Sequence, residues 1–132
     1  MPRLLALLAL LCCVACSGAR PSPEETLSRS LTTFHSHLLF GRYDDAAAYL
    51  PLEQREAFLE YYQGTDDDLK ITEFEIARSE LAPTRDSAKV EVDLSWYQLP
   101  SMTVKTSKMV EKWEYDSAFE RWTLVEHKVK DD

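Results

Sequence analysis

The stretch SAKVEVDLSWYQL, residues 87–99, alternates apolar and polar side chains along most of its length. Apolar residues occupy the even positions from Ala88 to Trp96, with Lys89, Glu91 and Asp93 between them. Because successive side chains of a β-strand point to opposite faces, this alternation predicts a strand with one buried and one solvated face.

Three more stretches extend this strand into a sheet. Residues 102–115 and 120–129 follow it after short turn-like breaks, and residues 69–81 precede it. We expect an antiparallel sheet of about four strands. The apolar phase slips between Ile71 and Phe74, which predicts a bulge that curves the sheet.

Side-chain pairing predicts how the second and third strands align. A turn at residues 100–101 places Val90 opposite Glu111. The same alignment predicts a second bulge between Lys105 and Lys108.

The last hairpin can be aligned in the same way. A four-residue turn over residues 116–119 places Trp113 opposite Trp122 and Glu111 opposite Leu124. This alignment puts Glu111 and Glu126 on the inner face of the sheet.

The first residues have the layout of a secretory signal, because Arg3 precedes a short apolar run. The run is shorter than the roughly 20 residues that span a bilayer. Its end, with Val14 and Ala15 before Cys16, resembles the lipobox of bacterial lipoproteins. The resemblance implies cleavage before Cys16 and a lipid on that cysteine. An ordinary signal peptide cut at the same point, leaving a free thiol, is the alternative.

These features divide the chain into three parts. We expect a lipoprotein signal peptide over residues 1–15, the lipidated cysteine and a short tether over residues 16–22, and a single α+β domain over residues 23–132. Serine at position 17, where the lipoprotein pattern associates aspartate with inner-membrane retention, favours the outer membrane. The expected location is the bacterial cell envelope, with the lipid-anchored domain facing the periplasm.

Helices are predicted before the sheet. Ser22 and Pro23 form a helix start, and Gly41 is the expected C-terminal cap. One buried stripe is predicted between them, formed by Leu27, Leu31, Phe34 and Leu38. Two shorter helices are expected over residues 44–50 and 51–64.

Two polar clusters in this region suggest metal binding but lack the spacing for it. His35 and His37 are two residues apart, so they cannot clamp one metal as an i, i+4 pair does, and we expect both to be solvated. The three aspartates of residues 66–68 lack the alternating spacing of a calcium loop. We predict neither a metal nor a cofactor.

Three helices followed by a long, bulged antiparallel meander resemble the nuclear transport factor 2-like superfamily, also called SnoaL-like or ketosteroid-isomerase-like. The resemblance covers residues 23 to about 129 and includes the turn at residues 41–43 and an aromatic hairpin around Trp113 and Trp122. It implies a cone whose curved sheet wraps the first helix and leaves a pocket at the wide end. The superfamily contains enzymes and non-catalytic binding modules, so the fold alone assigns no function.

A candidate pocket follows from the predicted inner face of the cone. Its residues are Trp96, Met109, Glu111, Trp113, Trp122 and Leu124. Glu111 is the candidate for chemistry, either as a general base or as a hydrogen-bond partner of a ligand. The candidate hydrogen-bond donors in this pocket are Tyr61, Tyr62 and Tyr115. The tryptophans of the set can also be core residues, as tryptophans at alternating positions more often are.

Composition excludes several functions. The chain has 132 residues with 15 basic and 23 acidic side chains, a formal net charge of −8 that argues against binding nucleic acid. The cysteines are Cys12, Cys13 and Cys16, so the domain has none for a disulfide, a zinc site or a thiol nucleophile.

Three functions remain open. The first is a non-catalytic domain that binds a small apolar ligand or an envelope protein. The second is an isomerase- or dehydratase-like enzyme with a pocket carboxylate as base, although no catalytic set can be assigned residue by residue. The third is a structural subunit of an envelope complex that docks through its outer sheet face. A homodimer is compatible with each of them.

Overall fold

The computed structural model describes residues 18–130, so the signal segment and Cys16 lie outside the described residues. Three helices precede four strands in the chain. The helices are α1 (Pro23–Leu39), α2 (Tyr43–Ala47) and α3 (Leu52–Thr65), and the strands are β1 (Leu69–Leu81), β2 (Ser87–Gln98), β3 (Lys105–Asp116) and β4 (Arg121–Val129). The strands form one antiparallel sheet in the order β1-β2-β3-β4. The predicted α+β class is therefore confirmed.

Helix α1 begins and ends where its sequence predicts. The Ser22 hydroxyl accepts a hydrogen bond from the Glu25 N–H at 3.3 Å, which satisfies one of the unpaired amides of the first turn. At the other end Gly41 adopts a φ of +69°, and the Arg42 N–H bonds the His37 carbonyl at 2.8 Å. Glycine suits this left-handed position because it has no Cβ to clash.

The core lies between the apolar stripe of α1 and the inner face of the sheet. Phe34 of α1 meets Trp113 of β3 edge to face, with ring centroids 5.6 Å apart. Every residue of the buried apolar cluster lies between Leu27 and Leu124. A chain that begins at Ser17 therefore contains the whole core.

The first two strand pairs largely follow the prediction. Strand β1 shifts register between Ile71 and Glu73, as expected, and again between Ile76 and Arg78. Val90 lies opposite Glu111 as predicted. The bulge expected between Lys105 and Lys108 is wrong, because β2 and β3 pair without any register shift from Ser87 to Trp96.

The predicted alignment of β3 with β4 is wrong by two residues beside the turn and by three beyond a bulge. Trp113 lies opposite Leu124, and Trp122 lies opposite Tyr115. The turn begins one residue later than expected, since Asp116 and Arg121 still pair and the Asp116 carboxylate accepts the Ala118 N–H at 2.9 Å.

A bulge then changes which face the end of β4 presents. The register shifts beside Lys112, which pairs with Glu126, so Val125 is the extra residue. Glu126 is therefore on the outer face, contrary to the prediction, and His127 lies opposite Glu111 on the inner face.

The two ends of the sheet differ in what surrounds them. The β1–β2 and β3–β4 turns lie at one end with the start of α1, where Arg85 bonds Glu24 and Arg20 lies 3.3 Å from Glu120. The β2–β3 connection lies at the other end. The chain therefore enters the domain at the end that carries both hairpin turns.

Among residues 18–130, no helix combines the length and apolar character needed to cross a bilayer.

Candidate functional site

An apolar cavity opens at the end of the sheet that carries the β2–β3 connection. It has a volume of about 280 Å³ between the inner sheet face and α3. Its walls include Tyr61, Tyr62, Leu69, Ile71, Trp96 and Met109. Among residues 18–130, no charged side chain lines it, although 29% of the residues in the chain are charged. We call this cavity the mouth pocket.

The polar groups that line the mouth pocket are uncharged hydroxyl, amide and indole groups. The Trp96 indole N–H donates to the Ser107 hydroxyl at 2.8 Å, and the Lys105 ammonium lies 5.5 Å from the centroid of the Trp96 ring. Thr65, Gln98 and the phenols of Tyr61 and Tyr62 complete the polar part of the lining. Such a lining suits an apolar ligand body with a polar group at the opening.

Tyr62 is a neutral hydrogen-bonding group in this wall. Burial raises its pKa above the ordinary value, and the nearby Tyr61 and Glu111 groups raise it further. The phenol therefore carries no charge near neutral pH and keeps the pocket uncharged.

A buried polar pair lies deeper in the domain. The Nε2 atom of His35 in α1 is 2.8 Å from Oε2 of Glu111 in β3, and the side chains are only 1% and 2% exposed. The Trp113 indole N–H donates to the other carboxyl oxygen at 3.1 Å. Both oxygens of Glu111 are therefore engaged by the protein itself.

The hydrogen bonds of His35 constrain its protons. Its Nδ1 atom lies 2.7 Å from the Leu31 carbonyl oxygen, which can only accept, so Nδ1 carries a hydrogen. One further proton lies between Nε2 and Glu111, on either partner. In both arrangements the pair has no net charge, which makes its burial tolerable.

The six predicted pocket residues separate into two groups. Trp96 and Met109 line the mouth pocket. Trp113, Trp122 and Leu124 are core residues, each no more than 1% exposed, and Glu111 is sealed by His35 and Trp113. The wrong β3–β4 alignment placed the two core tryptophans side by side and merged the groups.

Among the candidate donors, Tyr61 and Tyr62 line the mouth pocket. Tyr115 instead packs on Trp122, with ring centroids 5.1 Å apart.

Sequence reasoning missed His35, whose expected solvation is wrong. The signal was present, because His35 follows Leu31 by four residues and therefore continues the buried stripe of α1. Its partner is 76 positions away in the chain, and the sequence pattern gave no sign of that contact.

The acidic turn after α3 is engaged in ordinary hydrogen bonds. The Asp66 carboxylate accepts the Tyr43 hydroxyl at 2.6 Å. Burial and this bond raise the pKa of Tyr43 to about 12. Between residues 18 and 130, no group of three His, Cys, Asp or Glu side chains is close enough to hold a metal.

A larger groove of about 880 Å³ lies on the outer sheet face. Charged side chains border it, among them Lys89, Glu91, Lys112 and Glu126. We consider the smaller mouth pocket the better ligand site, since it is apolar and lies between two layers of the fold.

Comparisons with known proteins identify the fold. No family model matches the chain, and no curated protein sequence matches it significantly. A candidate calcium/calmodulin-dependent kinase II association domain from Exiguobacterium sibiricum 255-15 is similar in structure, with a TM-score of 0.64 and 18% identity over 87% of this chain and 99% of that chain.

Two further solved structures are similar. One is a nuclear transport factor 2-like protein of unknown function in nutrient uptake from Rhodospirillum rubrum, with a TM-score of 0.62 and 13% identity over 80% of this chain and 98% of that one. The other is a candidate polyketide cyclase from Xanthomonas campestris pv. campestris, with a TM-score of 0.54 and 12% identity over 80% and 93% of the two chains. This chain therefore has the nuclear transport factor 2-like α+β cone fold.

Proposed function

We propose, from this cone fold and its mouth pocket, that the chain is a lipid-anchored envelope protein whose domain binds a small apolar ligand without catalysis. The observation that carries the binding role is the uncharged lining of a cavity of about 280 Å³, close to the lower limit of ordinary ligand pockets. The anchor is Cys16 and the location is the outer membrane, as the lipobox resemblance implies.

The geometry of Glu111 favours binding over catalysis. A general base must reach the proton that it removes from a substrate. Glu111 is 2% exposed, and its two oxygens contact His35 and Trp113. The isomerase- or dehydratase-like alternative is therefore the less supported one, and docking of an envelope partner on the outer face stays a prediction.

A neutral fluorescent probe tests the binding role. We expect N-phenylnaphthylamine to bind the chain that begins at Ser17 and to change the emission of Trp96. Met109→Trp fills the mouth pocket and should abolish binding. Met109→Leu keeps the volume nearly constant and should retain it.

Phe119→Trp is the matched control, because it introduces the same indole at an exposed position of the β3–β4 turn, at the opposite end of the sheet from the pocket. Circular dichroism establishes that each variant is folded. Equal probe affinity in Met109→Trp and Phe119→Trp would disprove the mouth pocket as the binding site.

Native mass spectrometry of the detergent-extracted protein supplies a second test. It would reveal the lipid mass, any ligand that co-purifies and the stoichiometry in one measurement.

A further inference from the structure

We propose that the ligand of the mouth pocket is an anionic single-chain amphiphile whose carboxylate or phosphate head group binds at Lys105. This inference rests on the proposed binding function of the same pocket. It adds the chemical class of the ligand and the position of its head group.

The volume of the mouth pocket limits what can be enclosed. A protein cavity of roughly 150 Å³ holds one benzene molecule, so about 280 Å³ accommodates a hydrocarbon about twice that size. A longer chain must extend out of the opening. Any polar head group therefore lies at the rim.

The rim is itself apolar along the β2–β3 connection. Leu99, Met102 and Val104 are exposed there, and Val129 is exposed at the end of β4, where it also lines the pocket. Exposed apolar side chains around an apolar cavity favour contact with hydrocarbon. The part of a chain that leaves the pocket can therefore still contact apolar surface.

Lys105 is a charged residue in contact with the pocket lining at the rim. Its ammonium lies over the face of Trp96, which forms part of the pocket wall. Lys105 is exposed, so its ammonium can turn to an incoming anion while its stem stays along the indole. The nearby Lys70 is less available, because its ammonium bonds the Asp66 carbonyl oxygen.

Acidic groups of the described residues lie on the turn between α3 and β1, where the Asp68 carbonyl oxygen accepts the Leu99 N–H. The Asp66 carboxylate is bonded to Tyr43, whereas Asp67 and Asp68 are exposed on the turn between α3 and β1. Both would repel an anionic head group. The head group is therefore expected on the β3 side, at Lys105, rather than at the α3 side.

Four amphiphiles with the same saturated chain test this inference. They are an alkanoate, an alkyl phosphate, an alcohol and an alkylammonium salt, each titrated below its micelle concentration into the chain that begins at Ser17. We expect both anions to bind about three- to tenfold more tightly than the alcohol, and the ammonium more weakly, because one charged contact at an exposed rim has a modest effect. A difference between the two anions identifies the preferred head group.

Lys105→Gln should remove the preference for the anions and leave the affinity for the alcohol unchanged. Lys108→Gln is the matched control, since Lys108 pairs with Asp93 on the outer face. An alcohol or ammonium that binds as tightly as the anions, or an unchanged preference in Lys105→Gln, would overturn the inference while the binding function stands. Failure of all four amphiphiles and of the neutral probe would overturn both.

Discussion

The contact between His35 and Glu111 shows how one side chain constrains its surroundings. These are the buried polar or charged residues of the described chain, and every hydrogen-bonding atom of the pair has a partner. Such a pair adds little net stability relative to a well-packed apolar pair, but it is costly to break from one side. Its main consequence is to fix how α1 sits against β3.

Substitutions of Glu111 separate charge from hydrogen bonding. A glutamine at this position can donate to Nε2 of His35 and accept from Trp113, so Glu111→Gln should reduce the free energy of unfolding by less than about 1 kcal/mol. Glu111→Ala leaves both partners unsatisfied and should cost about 3–5 kcal/mol. Urea denaturation at neutral pH measures both. Equal losses in the two variants would contradict the hydrogen-bond assignment.

The Glu111→Gln variant also tests whether Glu111 belongs to the ligand site or to the core. Because the Glu111 side chain does not line the mouth pocket, Glu111→Gln should leave the affinity for the neutral probe unchanged. A large loss of affinity in a folded variant would revive Glu111 as a ligand-binding group.

Tyr43 predicts a specific response to alkaline pH. Burial and the Asp66 carboxylate raise its pKa from the ordinary value of 10.0 to about 12. A group with a raised native pKa contributes stability that is complete below its unfolded pKa and is lost as pH rises through the native value. Tyr43→Phe should therefore flatten the decline in stability between about pH 10 and pH 12.

Denaturation of the wild type and of Tyr43→Phe at a series of alkaline pH values measures this difference. Asp66→Asn is the useful companion, since it removes the carboxylate charge and retains a hydrogen-bond acceptor. The decline in stability of Asp66→Asn over this pH range should lie between the declines of the wild type and of Tyr43→Phe. Parallel stability curves for wild type and Tyr43→Phe would refute the role of Tyr43.

At the level of elements, the β2–β3 and β3–β4 hairpins show which strand alignments could be predicted from the sequence and which could not. The β2–β3 alignment was predictable because residues 88–96 alternate strictly and because Asp93 faces Lys108 across the strands. The β3–β4 alignment was not, because Asp116 can begin the turn or end the strand. The adjacent apolar residues Leu124 and Val125 also conceal a bulge, since either could face the core.

Trp122 connects β4 to the start of α1. It is 1% exposed, and its indole N–H reaches the Pro23 carbonyl oxygen at 3.1 Å. Trp122→Ala should lower the free energy of unfolding by about 3–5 kcal/mol, as deletion of other core aromatic side chains does. Chemical denaturation of the chain that begins at Ser17 checks this value.

Phe119→Ala provides the control for that loss. Phe119 belongs to the same hairpin but is 75% exposed, so its truncation should change stability by no more than about 0.5 kcal/mol. Similar losses for the two variants would mean that the hairpin does not pack as described.

At the level of the whole molecule, the decisive residue is Cys16. Its expected lipid would hold the protein on the membrane, because each buried CH₂ group contributes about 0.8 kcal/mol. Cys16→Ser should release the domain from the membrane fraction or leave an uncleaved precursor. Fractionation with mass measurement tests this, and a Cys16→Ser protein that matures and stays membrane-bound would exclude lipidation.

The placement of the two ends of the sheet has a consequence for how a ligand arrives. Strand β2 runs the length of the sheet in 12 residues, which at about 3.3 Å per residue separates the two ends by about 40 Å. In the proposed lipid-anchored form, the attachment at Cys16 would bring the end with the hairpin turns closer to the bilayer than the opening. A lipid embedded in that bilayer would then be poorly placed to insert its tail. This form would instead favour a ligand that has already left a membrane, as a dissolved monomer or as cargo released by another protein.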